Sequence, residues 1–171
     1  KVWGETSNKD IDYEEYKLLK PDFYKIENQN DFIESINMDD YFYKDVYENR
    51  GNSRHGGEWE PHLVRNHLCA LKSKKSALEM VDNFVKEGNR IKYVMFIRPD
   101  TKFLYSLPVK ELDNENDIFI PNEGRWEGYN DRFAIAHYDK SHLYGKRIDE
   151  IAEFRKTHGR IVSEKYVKYI V

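Results

Sequence analysis

The run Lys92-Tyr-Val-Met-Phe-Ile-Arg-Pro-Asp100 constrains this chain more than any other segment. Tyr93 to Ile97 is a continuous apolar stretch, which reads as a strand buried on both faces and central to its sheet. Pro99 has no amide hydrogen to give to a ladder, so the strand ends before it. Asp100 then sits just past a strand C-terminus, where open α/β sheets bind their ligands. A carboxylate there is placed to hold a hard cation and, through it, a phosphate.

The segments around this strand alternate helical and strand patterns. Asp31-Phe-Ile-Glu-Ser-Ile-Asn37 reads as a short helix, and Glu48 to Gly57, rich in Gly, Asn and Ser, as a loop. Pro61 suits the first turn of a helix, and Leu63, Val64, His67, Leu68 and Leu71 follow at helical spacing. Ser76 with Glu79 has the capping-box pattern of a second helix. That helix carries Leu78, Val81, Phe84 and Val85, with Gly88 as its stop. Lys72, Lys74 and Lys75 fall between the two and read as a solvated helix start. Ile118-Phe-Ile120, closed by Pro121, is a second strand, and alternating Phe133, Ile135 and His137 mark a third. Asp139 is placed to cap a helix with Leu143, Tyr144, Arg147, Ile148 and Ile151. Ser163 is placed to cap a last one with Tyr166, Val167 and Ile170. The alternation implies an α/β fold.

The 171 residues suffice for one domain with a real core. No repeat or low-complexity linker divides them. A net charge of −3 with scattered basic residues gives no footprint for nucleic acid or an anionic membrane. No apolar run is long enough to span a bilayer. Cys69 is the single cysteine, so no internal disulfide is expected; with no Asn-x-Ser/Thr sequon either, the chain reads as cytosolic. The 13 Asn and 18 Lys against 5 Ala point to an AT-rich genome, as in a virus or a low-GC bacterium. Aromatic residues make up 15%, so Tyr and Phe must supply much of the burial.

Four motifs occur in order: Arg98-Pro99-Asp100, Asp117-Ile-Phe-Ile-Pro121, Gly128-Tyr-Asn-Asp-Arg-Phe-Ala134 and Ser163-Glu164-Lys165. Together they resemble a set of glycosyltransferase-like proteins from surface-polysaccharide loci and large DNA viruses, similar to nucleotide-sugar transferases of the GT-A fold. The resemblance runs from about Trp3 to the C-terminus. It implies a single glycosyltransferase-like domain over 1–171, with a mixed sheet flanked by helices. Relatives look as if they carry a first strand–helix unit ahead of the segment resembling Lys1-Val-Trp-Gly4. The expectation is therefore a piece of a longer chain, or one whose first unit is supplied from elsewhere.

Glycosyl transfer from a nucleotide sugar needs charge neutralisation at the leaving diphosphate, by Mg²⁺ or Mn²⁺ or by Arg and Lys. An inverting enzyme also needs a carboxylate that deprotonates the acceptor hydroxyl. In the resemblance, Arg-Pro-Asp stands where an Asp-x-Asp motif is usual, which makes Asp100 the metal ligand. Arg98 replaces the first carboxylate and either contacts phosphate or pairs with Asp100. Asp131, in a loop flanked by Gly124 and Gly128, is the acceptor-side base or an Asn-Asp turn. Arg132 reaches diphosphate or makes a surface ion pair. Trp126 offers an indole face to an acceptor sugar or covers the core edge. Glu164 is an acceptor-site carboxylate or a capping residue. His158 is a second candidate metal ligand. His62 and His67, and His137 and His142, are five apart rather than four, and read as structural or surface.

Two other function classes compete with this reading. A catalytically inactive carbohydrate-binding or scaffold domain fits the single carboxylate in Arg98-Pro99-Asp100. A metal-dependent nuclease of the PD-(D/E)xK type needs a lysine on the next strand, which Asp117-Ile-Phe-Ile-Pro121 lacks.

Overall fold

The computed structural model describes residues 20–41, 61–98, 101, 103–107, 109, 112 and 115–171. Asp100, the Glu48–Gly57 loop and the segment around Trp3 lie outside the described residues.

The elements are helix α1 (Gln29–Glu34), a 3₁₀ turn (Met38–Asp40), helix α2 (Pro61–Lys86), strands β1 (Tyr93–Ile97), β2 (Ile118–Phe119) and β3 (Phe133–His137), helix α3 (Tyr138–Gly145), a second 3₁₀ turn (Arg147–Glu150), and helices α4 (Ile151–His158) and α5 (Ser163–Ile170). Helices and strands are mixed, as expected. Among the described residues no helix is long and apolar enough to cross a membrane.

Among the described residues the sheet has three strands in the order β1-β3-β2, and both pairings are antiparallel. This corrects the expectation of a central β1. Its apolar run cannot distinguish a strand covered on both sides from one that leaves a side open. Val94 and Phe96 turn inward, while Met95 and Ile97 are 37% and 48% exposed. Strand β3 occupies the centre instead, with Phe133, Ala134, Ile135 and Ala136 all buried. Its two faces serve different layers. Ala134 lies in a cluster with Leu78, Val94, Phe96, Tyr144 and Val167. Phe133 and Ile135 pack with Leu112 on the other side. Alanine at 134 lets α3 come close. Gly145 at the end of α3 is so tight that a Cβ there would lie 2.6 Å from Leu78 Cδ2.

Helix α2 joins this layer to a second core. It is one helix of 26 residues, not two. Val64, Leu68 and Leu71 pack with Ile151, Phe154, Ile161 and Tyr166, and Leu78 continues the stripe into the sheet cluster. Burying each such side chain contributes roughly 1.5–3 kcal/mol, which carries the helix through the polar stretch from Lys72 to Ser76. The two serines there satisfy themselves without capping anything. Ser73 Oγ donates to the Cys69 carbonyl at 2.8 Å, and Ser76 Oγ to Glu27 at 3.2 Å. The helix stops at Gly88, whose φ of +93° suits glycine. Cys69 is buried, as its place on the apolar stripe implies.

The expected helix after β3 is broken into α3, the 3₁₀ turn and α4. Neither Asp139 nor Ser163 is an N-cap. His137 and Val162 hold those positions, and Asp139 and Ser163 lie in the first turns. A polar knot fixes α3 on α2. Asp82, 8% exposed, accepts from Tyr138 at 2.9 Å, from His142 Nε2 at 2.8 Å and from Lys146 Nζ at 2.8 Å. An ionised carboxylate only accepts, so His142 Nε2 carries the hydrogen.

Continuity of α2 is open to a direct test. Ala77→Pro would be well tolerated at the first position of a second helix capped by Ser76. Inside one helix it removes a backbone hydrogen bond and should cost about 3 kcal/mol or more; urea unfolding that shows a loss below about 1 kcal/mol would contradict the continuous helix. The Asp82 knot gives a pH signature. Desolvation raises the Asp82 pKa, but the hydrogen bonds from Lys146, His142 and Tyr138 together outweigh it and hold it below 3.8. Its contribution is therefore complete above pH 3.8 and disappears as the pH falls through the lower folded value. Asp82→Asn should be less stable than the parent by about 1–2 kcal/mol at pH 7, and the gap should narrow as the pH falls below 3.8 towards about 2.5. A gap unchanged between those two pH values would rule out the charged knot.

Candidate active site at one end of the sheet

The antiparallel register of β1 and β3 ends on the pair Ile97↔Phe133. Arg98 therefore leaves β1 beside Asp131 and Arg132 as they enter β3. Arg98 and the Asp131-Arg132 pair, distant in sequence, thus meet at one end of the sheet. Arg98 and Arg132 are exposed and Asp131 is half-buried. The Thr101 amide donates to the Arg98 carbonyl at 3.0 Å, turning the chain just beyond β1.

The loop ahead of Asp131 is fixed at both ends. Asn130 Nδ2 donates to the Glu123 carbonyl at 3.0 Å, and Asn130 Oδ1 accepts from the Arg132 amide at 2.8 Å. Gly124, at φ +63°, makes the turn. Gly128 has a different role. A Cβ there would lie 2.0 Å from the Glu164 carbonyl oxygen, so only glycine lets the loop backbone touch the start of α5. The Tyr129 amide donates to that same carbonyl at 2.9 Å, and Lys165 pairs with Glu127. This joint brings Glu164 next to the loop that carries Trp126. Trp126 is 63% exposed. The Glu164 carboxylate accepts from Ser163 Oγ at 2.8 Å.

Below the loop lies a group of basic and aromatic side chains. Lys74 Nζ donates to the Asp131 carbonyl at 2.9 Å, and so does Tyr144 Oη at 2.9 Å. The Arg147 guanidinium carbon sits 3.9 Å from the Tyr144 ring centroid, and Lys74 Nζ sits 5.5 Å from it. Arg147 is 1% exposed; its Nη1 donates to the Tyr144 carbonyl at 2.6 Å. Burial, then Arg147, drives the Lys74 pKa well below 10.5; Asp131 opposes the shift and Arg98 adds to it. Burial, then Arg147 and Lys74, likewise pushes His67 well below 6.5 and holds it neutral at pH 7. Burial raises the Tyr144 phenol, so it stays a donor.

Two of these residues escaped the sequence. Lys74 is not part of a solvated helix start; it sits in mid-helix with its ammonium turned onto the loop. Arg147 falls on the apolar stripe between Tyr144 and Ile151, and a charge in that position was the one available signal.

The described side chains around Asp131 form no ligand set for a metal, and Asp100 lies outside the described residues. Among the described residues no three His, Cys, Asp or Glu side chains come together to hold an ion. Among the described residues, Lys74 reaches the Asp131 carbonyl and Arg98 and Arg132 lie at the same end of the sheet. His158 stacks on Phe154 at 5.0 Å and meets Tyr169 edge-on at 4.6 Å, and its Nδ1 contacts Thr157 Oγ1 at 2.7 Å. It belongs to an aromatic cluster on α4 and α5. Comparison of the chain with protein-family models, with characterised proteins and with solved structures found no match.

Proposed function

We propose that this chain is a glycosyltransferase that moves a sugar from a nucleotide-sugar donor to a glycan acceptor, on a GT-A-like framework in the cytoplasm of a bacterium or a virus-infected cell. The reading rests on the resemblance carried by Arg98-Pro99-Asp100 and Asn130-Asp131-Arg132-Phe133-Ala134. What supports it most is the meeting of Asp131, Arg98 and Arg132 at one end of the sheet, above Lys74. A carboxylate bordered by several cations is the pairing that transfer from a diphosphate requires.

In this scheme the acceptor hydroxyl oxygen attacks the anomeric carbon as the bond from that carbon to the diphosphate breaks. Asp131 takes the hydroxyl proton if the reaction inverts. Arg98 and Arg132 face the negative charge that develops on the leaving group. Trp126 gives an apolar face to the acceptor sugar, and Glu164 a hydrogen-bond acceptor. Asp100 is the residue that the resemblance offers to Mg²⁺ or Mn²⁺; the described side chains supply positive charge themselves, and no step above depends on the ion.

Asp131→Asn keeps the backbone carbonyl that Lys74 and Tyr144 bind, and removes only the base. General-base contributions are about 10²–10⁴-fold. Release of nucleoside diphosphate in the presence of acceptor should fall by that factor while calorimetry still detects donor binding. Turnover equal to that of the parent would remove Asp131 from the chemistry. A parent protein that binds no nucleotide sugar, with or without Mn²⁺, would leave a carbohydrate-binding scaffold as the reading.

A further inference from the structure

One peptide unit of the loop is held at every polar atom it has. Its carbonyl, that of Asp131, accepts from Tyr144 Oη and from Lys74 Nζ, each at 2.9 Å. The two donors come from different helices, α3 and α2, and lie 13 and 57 residues away in sequence. A carbonyl oxygen has two lone pairs, so the two donors saturate it. The N–H of the same unit, that of Arg132, donates to Asn130 Oδ1 at 2.8 Å. Asn130 is itself tied to the Glu123 carbonyl at 3.0 Å. One hydrogen bond is enough to satisfy a buried carbonyl. The second here comes from a lysine whose charge the neighbouring Arg147 opposes, an unfavourable donor for a task that a neutral hydroxyl already performs.

The Asp131 carboxylate is treated in the opposite way. It is half-buried, and among the described residues no side chain or amide bonds to it. Lys74 reaches past it to the uncharged carbonyl. A planar peptide unit fixed at both its carbonyl and its amide cannot rotate, so the point from which the Asp131 side chain departs is set while the side chain stays open. We propose that Tyr144 and Lys74 are positioning residues for Asp131. Through its peptide they hold the unpaired carboxylate at the end of the sheet, in the place from which it takes the acceptor proton. The proposal rests on the transferase reading, which supplies the role of Asp131. It adds that turnover depends on two donors beneath the loop that act through Asp131. Displacement of a catalytic group by about 1 Å costs up to about 10²-fold.

Steady-state kinetics of Tyr144→Phe and Lys74→Met, each alone and each combined with Asp131→Asn, test this. Tyr144→Phe keeps the ring that packs against Phe96 at 5.0 Å and against Arg147. Thermal melts establish that each variant is folded at the assay temperature; if Lys74→Met is not, Tyr144→Phe alone decides. In each single variant kcat should fall roughly 10- to 100-fold, with KM for the donor changed by less than about threefold. In the Asp131→Asn background neither change should cost anything further, because no base is left to position. The carbonyl ¹³C signal of Asp131 in labelled protein reads the contact without turnover, and should move in both variants. Parental kcat in folded Tyr144→Phe overturns the positioning role and leaves the transferase, as does an equal loss in the Asp131→Asn background. A carbonyl signal that moves in neither variant overturns it whether or not the parent turns over. A parent that transfers no sugar, with the carbonyl signal moving as expected, rejects the transferase and reduces the two donors to a tie within the fold.

Discussion

The Tyr144 ring and the two cations beside it hold this structure together where its layers meet. Tyr144 comes from α3, Lys74 from α2 and Arg147 from the turn after α3. All three converge beneath the strand entry at Asp131. The Asp131 carbonyl receives both Lys74 Nζ and Tyr144 Oη, so the start of the central strand is pinned to two helices at once. Tyr166 of α5 adds a further tie, donating to the Arg147 carbonyl. Removing the ring would leave the buried Arg147 and the half-buried Lys74 without their aromatic partner and free the strand entry together. The candidate site and the centre of the fold are thus built from the same side chains.

This coupling explains why α2 has to be long. Its first half belongs to a helical core with Ile151, Phe154 and Tyr166, and its second half to the sheet core with Leu78. Lys74 lies between them, at the level of the Asp131 loop. A break near Ser76 would separate the two cores and leave Lys74 without a fixed direction. The Asp82 knot to Tyr138, His142 and Lys146 fixes the same two helices further along. Gly128 and Gly145 permit the remaining close approaches, one of loop to α5 and one of α3 to the sheet.

Much of the element order was legible because its signals are local. The strands at 93–97, 118–119 and 133–137, the start at Pro61 and the stop near Gly88 follow from apolar runs, proline and glycine. Strand order was not legible, since Tyr93–Ile97 is apolar whether its second face is covered or open. The capping pattern at Ser76 misled, because tertiary burial of Leu71 and Leu78 outweighs a local preference worth about 1 kcal/mol. Of the candidate site, Asp131, Arg98 and Arg132 were found through motifs, and the register alone brings them together. The Gly128 contact brings the loop that carries Trp126 onto the start of α5 at Glu164. Lys74 was missed because a lysine among lysines looks solvated, and Arg147 because its stripe position reads as helix content rather than chemistry. His158, named for its ligating chemistry, sits in an aromatic stack with Phe154 and Tyr169.

The central claim is that the end of the sheet around Asp131 receives the donor. Titration of isotopically labelled protein with a panel of nucleotide sugars, followed by NMR chemical-shift mapping, measures this directly. At least one donor should perturb signals concentrated at Lys74, Arg98, Gly128 and Asp131. Perturbations confined to the groove between α1 and α2, around Phe32 and Cys69, or none with any donor, would contradict the account.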